Sequence, residues 1–347
     1  MISALVQIGK NWRDVNYPLR QKAIRDAAPE FCLSANSFEL GLDWIFSCWN
    51  EEVLNKISRS HANSFATNAV QVVAGNTPAV MAQAFLQGAM LHVPQLIKIP
   101  RLQQIFPKLL HASFRDVSPE LADLFFVDSW ENRLPDFYAK LATVDLVIAY
   151  GDDSTLATIK QHCAPTCTFI GHGHAVSCAV IFKEGANKRS LTKLAWDMLS
   201  YDQRGCLSPK ATFVEQGGEL SSAQCAALFA NEVLPTLASR FPRGGLFPGE
   251  AVAIKQRRAV YGFRGSVYSG ADWTVCYDDR AVWPEESLPR FMPFKPFDDM
   301  EQLGLILQPV NDAIISIGVA GGDDAIFNYP NLRHVCAIGD MQKQLLL

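Results

Sequence analysis

Between Val144 and Gly151 the chain reads VDLVIAYG, a nearly unbroken apolar run rich in branched side chains. A run without polar alternation suits a strand buried on both faces, and such strands belong to parallel sheets covered by helices. The next residues support this: DDSTLATIKQH offers an aspartate as N-cap to a helical pattern. The same alternation runs from residue 69 onward. Ala69–Val73 reads as a strand, Gly75-Asn76-Thr77-Pro78 as a turn whose proline starts an apolar helix over 79–91, and Gln95–Ile99 as the next strand. After two further helical stretches and VDLVIAYG, TCTFIG (166–171) and VSCAVI (176–181) continue the series as strands. The fold class expected is therefore α/β, a mostly parallel sheet with helices on both faces.

At 347 residues the chain exceeds the size at which one hydrophobic core stops growing, so two domains are expected. The polar, Gly-containing stretch KEGANKR (183–189) reads as the crossover. This sets a first domain at 1–185, completed by part of 305–347, and a second at 186–304. In the second, Leu191, Leu194, Ala195, Met198 and Leu199 recur at helical spacing on a helix ending near Gly205. Strand ATFVE (211–215), a long helix from Ser221 to about Ser239, a helix over 251–261 and strand WTVCY (273–277) follow.

Composition excludes several function classes. A formal net charge of -4 argues against nucleic acid as a main partner. No run approaches the length of a membrane-spanning helix, and the N-terminus lacks a basic segment followed by a long apolar one, so a cytoplasmic protein is expected. Nine cysteines are an odd total, which suits free thiols in a reducing compartment. Cys163 and Cys167 have no second Cys or His pair at finger-like spacing, so no metal site is implied.

Four places could carry chemistry. Cys206, in YDQRGCLSP (201–209), follows a glycine at a helix-to-strand junction where backbone amides can face a bound carbonyl; Arg204 or those amides could lower its pKa. A lone cysteine is more often buried filler. Asn76, on a tight turn, can donate a hydrogen bond to an oxyanion, or can be there for its turn geometry. His172 and His174 in GHGH flank a strand end and could act as acid or base, or be satisfied structural histidines. Gly151 opens the turn Gly151-Asp152-Asp153, which lacks the GxGxxG fingerprint and carries two acids where a pyrophosphate would otherwise dock.

Taken in order, AGNTP (74–78), LIKIP (96–100), VIAYGDDSTLATI (147–159), FIGHGH (169–174), YDQRGCLSP (201–209), ISIGVAG and IGDMQ near the end resemble the LuxC-type fatty acyl-CoA reductases. These form a branch of the aldehyde dehydrogenase superfamily best known from bacterial luminescence. The resemblance implies a Rossmann-type cofactor domain and an α/β catalytic domain, here shortened at the N-terminus. It makes Cys206 the acyl-carrying nucleophile, and Asn76, with the cysteine's own amide, the oxyanion hole. Lys98 matches the lysine on the adenosine ribose. Arg101 stands where NAD-preferring relatives often carry glutamate, which favours NADPH, with NADH as the other donor. Glu286 aligns with the glutamate that holds the nicotinamide ribose, although Leu288 replaces the motif's aromatic residue. Gly151 falls within the cofactor-binding segment.

Oxidising members use a glutamate before a Gly-Gly pair to activate water. The corresponding FIGHGH has no carboxylate, which favours reduction over hydrolysis. The implied reaction is reduction of an acyl thioester to an aldehyde, with an acyl-CoA or acyl-protein donor, an acyl-protein synthetase as partner, and a homo-oligomer admitted. Two alternatives share Cys206: a CoA-acylating aldehyde dehydrogenase acting oxidatively, and a non-reducing acyl-relay subunit.

Overall fold

The computed structural model describes residues 1–61, 66–129, 135–284, 287–322 and 334–343, which fold as two compact units. The first comprises Met1–Phe31 and Glu39–His174, the second Cys32–Phe38 and the chain from Ala175 onward.

The first unit opens with helices α1 (Ile2–Arg13), α2 (Pro18–Asp26), α3 (Ala35–Ser47, its first turn counted with the second unit) and α4 (Glu51–His61). A parallel sheet follows: β1 (Ala69–Val72), α5 (Pro78–Leu91), β2 (Gln95–Lys98), α6 (Ile105–Val117), α7 (Pro119–Ala122), β3 (Phe125–Asp128), α8 (Pro135–Leu141), β4 (Leu146–Tyr150), α9 (Asp153–Gln161) and β5 (Thr168–His172). Its strand order is β3-β2-β1-β4-β5. The chain moves outward from β1 to β3, then returns to add β4 and β5 on the other side. This is the Rossmann-type order, with the topological switch between β1 and β4. β1, β2 and β4 are buried throughout, as their apolar runs require. Asp152 caps α9 by accepting from Thr155 N (2.7 Å).

The second unit contains β6 (Val176–Ile181), α10 (Lys188–Leu199), β7 (Pro209–Glu215), α11 (Ser222–Leu228), α12 (Leu234–Arg240), α13 (Glu250–Arg264), β8 (Gly265–Ser269), β9 (Thr274–Asp278), β10 (Phe291–Phe297), α14 (Met300–Leu307), β11 (Ile314–Ala320) and β12 (His334–Ala337). The sheet order is β12-β11-β6-β7-β10-β9-β8, parallel except for the β8/β9 hairpin. Its two faces are covered by separate apolar clusters. One carries Leu191, Leu194 and Met198 of α10 with Phe229 and Phe294, the other Phe213, Leu303, Ile306 and Ile317.

Three expectations change here. The division falls between His174 and Ala175 rather than at 185/186. VSCAVI is β6, and it pairs with β11 on one side and β7 on the other. KEGANKR lies inside the second unit as a short 3-10 turn plus Asn187, which caps α10 through Ser190 N (3.1 Å). The segment from 305 also belongs to the second sheet, because β11 completes the hydrogen bonding of β6. The long helix expected from Ser221 to Ser239 is α11 and α12 joined by a π-helical turn, Phe229–Val233, just ahead of Pro235, which has no N–H to offer the regular ladder.

Among the described residues no helix is long and apolar enough to cross a membrane, and no group of three His, Cys, Asp or Glu could hold a metal ion.

Candidate active site

Cys206 lies in the second unit, three residues past the end of a backbone feature that few sequences adopt: Ser200 leads into Tyr201, Asp202 and Gln203, all left-handed with φ of 51°, 53° and 63°. None is glycine. Each left-handed L-residue costs about 1–2 kcal/mol, so three in a row persist only where the surroundings hold them.

The holding contacts are visible. Asp202 is fully buried; its Oδ1 accepts from Arg290 Nε (2.7 Å), and its Oδ2 accepts from Gly244 N (2.9 Å). Arg290, also fully buried, donates further to Phe241 O (2.7 Å) and Ser37 Oγ (3.1 Å) and faces Asp272 at 3.3 Å. Burial pushes the Asp202 carboxyl up, against the pull of Arg290, and pushes the Arg290 guanidinium down. Gly244 has to be glycine, because a Cβ there would run into the backbone of Cys32 and Leu33. Gln203 ties the turn to the sheet by donating from Nε2 to Pro209 O (2.7 Å) and Phe291 O (3.1 Å).

The turn delivers Cys206 to the amino end of β7. Its carbonyl accepts from the buried Ser177 Oγ of β6 (2.8 Å), and Ser208 N closes back on Gly205 O (3.1 Å). Burial raises the Cys206 thiol, while Lys210 and the N–H groups of Cys206 and Leu207 act to lower it. Arg204, which sequence offered as the activating cation, is engaged elsewhere. It makes a two-pronged ion pair with Glu250 (2.5 and 2.9 Å), donates to Gly245 O and packs over Phe247. The cation that acts on the thiol is Lys210, the second residue of β7. Sequence missed it, along with Asp202 and Arg290. The signal was a charge inside or bordering an otherwise apolar strand, PKATFVE and RFMPFKPF, where no solvated face is available.

The other expected residues lie in the first unit, at or just beyond the carboxyl ends of its strands. Asn76 follows β1 and is exposed; its Oδ1 accepts from Thr77 N (3.0 Å). Lys98 ends β2 and is buried. It meets no carboxylate among the described residues, since its neighbour Asp128 accepts from Ser129 N instead (2.7 Å), and burial alone pulls the ammonium down. Arg101 is exposed just past β2, and its carbonyl accepts from Gln104. Gly151 follows β4 and donates its N–H to His172 O (3.2 Å). The start of α9 behind it is filled by Asp152, whose carboxylate also accepts from Ser154 Oγ and is held below its usual range by these bonds. His172 ends β5, its ring stacked on Tyr150 (centroids 4.4 Å, planes 11° apart), and His174 is exposed beyond it. Glu286 lies outside the described residues.

This architecture defines the class. The chain has the aldehyde dehydrogenase fold: it superposes on the aldehyde dehydrogenase of Brucella melitensis biovar abortus 2308 with a TM-score of 0.69, 11% identity and coverage of 97% of this chain and 77% of that one. It superposes on aldehyde dehydrogenase 21 of Physcomitrella patens with a TM-score of 0.66, 12% identity and coverage of 99% and 79%. Within that class the sequence is more specific. The chain belongs to the acyl-CoA reductase (LuxC) family, whose pattern it matches over residues 39–344. Curated relatives include the long-chain acyl-protein thioester reductases of Photorhabdus laumondii (21% identical, covering 91% of this chain and 71% of the relative) and Photorhabdus luminescens (21%, covering 87% and 68%).

Proposed function

We propose that this protein reduces a long-chain acyl thioester to the aldehyde through a covalent acyl group on Cys206, with NADPH as reductant. The observation that carries the proposal is the setting of Cys206: a partly exposed thiol just past a left-handed turn held by buried contacts, where a buried lysine, its own amide and that of Leu207 oppose the burial that raises the thiol. A structural cysteine needs none of these. Membership of the acyl-CoA reductase family and the relatives' description as thioester reductases support the same chemistry.

In this reading the Cys206 sulfur attacks the thioester carbonyl, the carbonyl oxygen takes the negative charge, and collapse of the tetrahedral adduct releases the donor thiol. Backbone N–H at Cys206 and the Asn76 carboxamide are the donors assigned to that oxygen. A nicotinamide bound at the carboxyl edge of the first sheet would supply hydride to the acyl carbon. Lys98 fits such a group, because a buried ammonium with no carboxylate calls for a hydroxyl or phosphate oxygen beside it, and Arg101 would pair with a 2′-phosphate. Once the acyl carbon is reduced, the Cys206 sulfur leaves and the aldehyde is free. Glu286 and Gly151 stay assigned to the cofactor by resemblance, Gly151 as backbone only. The donor is an acyl-CoA by the family's description and an acyl-protein by that of the relatives; a synthetase supplying the latter, a homo-oligomer and a cytoplasmic location belong to the same reading.

Cys206→Ala tests it. Incubation with a panel of acyl-CoAs, followed by intact-mass measurement, is expected to give one covalent acyl adduct on the wild-type chain and none on the variant, with NADPH consumption lost in parallel. An adduct formed by the variant at the wild-type rate would assign the nucleophile elsewhere.

A further inference from the structure

We infer that Lys210 is the positioning cation of the Cys206 thiolate, anchored beneath the turn so that its charge faces the sulfur rather than a carboxylate. This deepens the proposed function and rests on Cys206 being the nucleophile.

The argument starts from cost. Lys210 is buried, and among the described residues it meets no acidic partner. Nζ donates to Gln203 O (2.8 Å) and Gly205 O (3.1 Å), the carbonyls that lead into Cys206. Removing an ammonium from water costs several kcal/mol even after relaxation, and two neutral carbonyls offset only part of that. Burial accordingly brings the ammonium down to about 8, with the Cys206 thiolate as the group that supports its charge.

Among the described residues, several charges beside the turn have partners of their own. Asp202 is matched by Arg290, Arg204 by Glu250 and Lys343 by Asp340, while Asp197 of α10 takes the N–H groups of Gly339 and Met341. On β6 and on the C-terminal turn the groups facing this loop are neutral: Ser177, and Gln342, which donates to Ser208 Oγ (3.2 Å). Lys210 is thus a buried cation with no carboxylate of its own among the described residues, its head held at the carbonyls that lead into Cys206.

The geometry also explains why the lysine sits on β7 and not on the turn. Its stem runs from a rigid strand and its head fixes two carbonyls, so the charge and the shape of the loop are delivered by the same side chain. Such an arrangement stabilises a thiolate without a neighbouring imidazole.

The test is the pH dependence of iodoacetamide alkylation at Cys206, read by peptide mass. Lys210→Met is expected to move the midpoint up by about one pH unit or more, a roughly tenfold loss of thiolate at fixed pH below it; Lys210→Arg is expected to keep the wild-type midpoint. An unchanged midpoint in Lys210→Met, or equal shifts in both variants, overturns the inference, because packing and not charge would then be at work. If Lys210→Met does not fold, the coupling is read from the other partner. Cys206→Ser is expected to lower the pH at which Lys210 Nζ loses its proton, followed by its 13Cε resonance, since coupling between two sites is reciprocal. An unmoved lysine titration is the overturning result there. Alkylation reports the thiol whatever reaction follows, so a Cys206 that titrates as expected but accepts no acyl group would remove the proposed function and leave the pairing intact.

Discussion

Two buried lysines that meet no carboxylate among the described residues stand out at the scale of single residues, Lys98 at the end of β2 and Lys210 at the start of β7. Neither charge is met by a carboxylate among the described residues, and in the proposed function each is met differently: Lys98 by a bound cofactor, Lys210 by the thiolate of the nucleophile. In the same proposal Arg101, exposed three residues past Lys98, sets the choice between cofactors. Arg101→Glu is expected to weaken NADPH binding by about 1.5–3 kcal/mol, the worth of one charge-assisted contact, and NADH far less; fluorescence titration of both cofactors checks this, and equal losses would separate Arg101 from the 2′-phosphate. The placement of Cys206 just ahead of a strand and of Asn76 on the turn before α5 was legible because short motifs surround them. Lys210, Asp202 and Arg290 were not, because which buried charge meets which partner is decided by packing between segments as far apart as residues 37 and 290.

At the scale of elements, strands with continuous apolar runs were readable to within a residue or two, as β4 and β6 illustrate. β10 was not. Its sequence, FMPFKPF, carries two prolines that argue against a central strand, yet it pairs with both β7 and β9. Charge helps fix it there. Lys295 of β10 is buried against Asp278 of β9 (3.2 Å), which also binds Arg280. Burial pushes the Asp278 carboxyl up, but Arg280 and Lys295 outweigh it and hold it at about 2. A carboxyl depressed in this way adds stability above its unfolded pKa near 4, and loses it as pH falls toward 2. Asp278→Asn leaves Lys295 buried and unmatched, and is expected to cost about 3 kcal/mol in urea unfolding at pH 7. The loss should shrink as the pH drops below about 4; a cost that stays constant into acid would mean that packing, not charge, is what Asp278 contributes.

At the scale of the whole molecule, the Cys206 thiol and Lys98 and Arg101, which we propose for the cofactor, belong to different units, each with its own sheet and core. The two halves of the chemistry are therefore separable by mutation: Cys206→Ala is expected to leave NADPH binding intact, and Arg101→Glu the stoichiometry of acylation. The first unit also offers no carboxylate in FIGHGH, and the His172 ring is engaged by Tyr150. General-base activation of water contributes about 10²- to 10⁴-fold where it operates. Without cofactor, the acyl group on Cys206 is accordingly expected to persist rather than hydrolyse. A time course of covalent adduct against free fatty acid checks this; rapid multiple turnover to acid, lost in His172→Ala or His174→Ala, would mark the chain as a thioesterase. The division into units itself was only partly legible, because β5 and β6 are adjacent strands in sequence, and nothing in TCTFIG or VSCAVI says that they enter different sheets.

The left-handed run Tyr201–Gln203 depends on Arg290, which lies 88 residues downstream of Asp202. Left-handed residues cost about 1–2 kcal/mol each, so the bend is expected to settle only once Arg290 reaches Asp202. While the polypeptide is still emerging from the ribosome, Cys206 is an ordinary thiol on a pliable stretch, with neither its ring of amides nor its cation in place. In the proposed function, newly made chains would thereby be spared premature acylation, with reactivity expected only once the domain that uses it is complete.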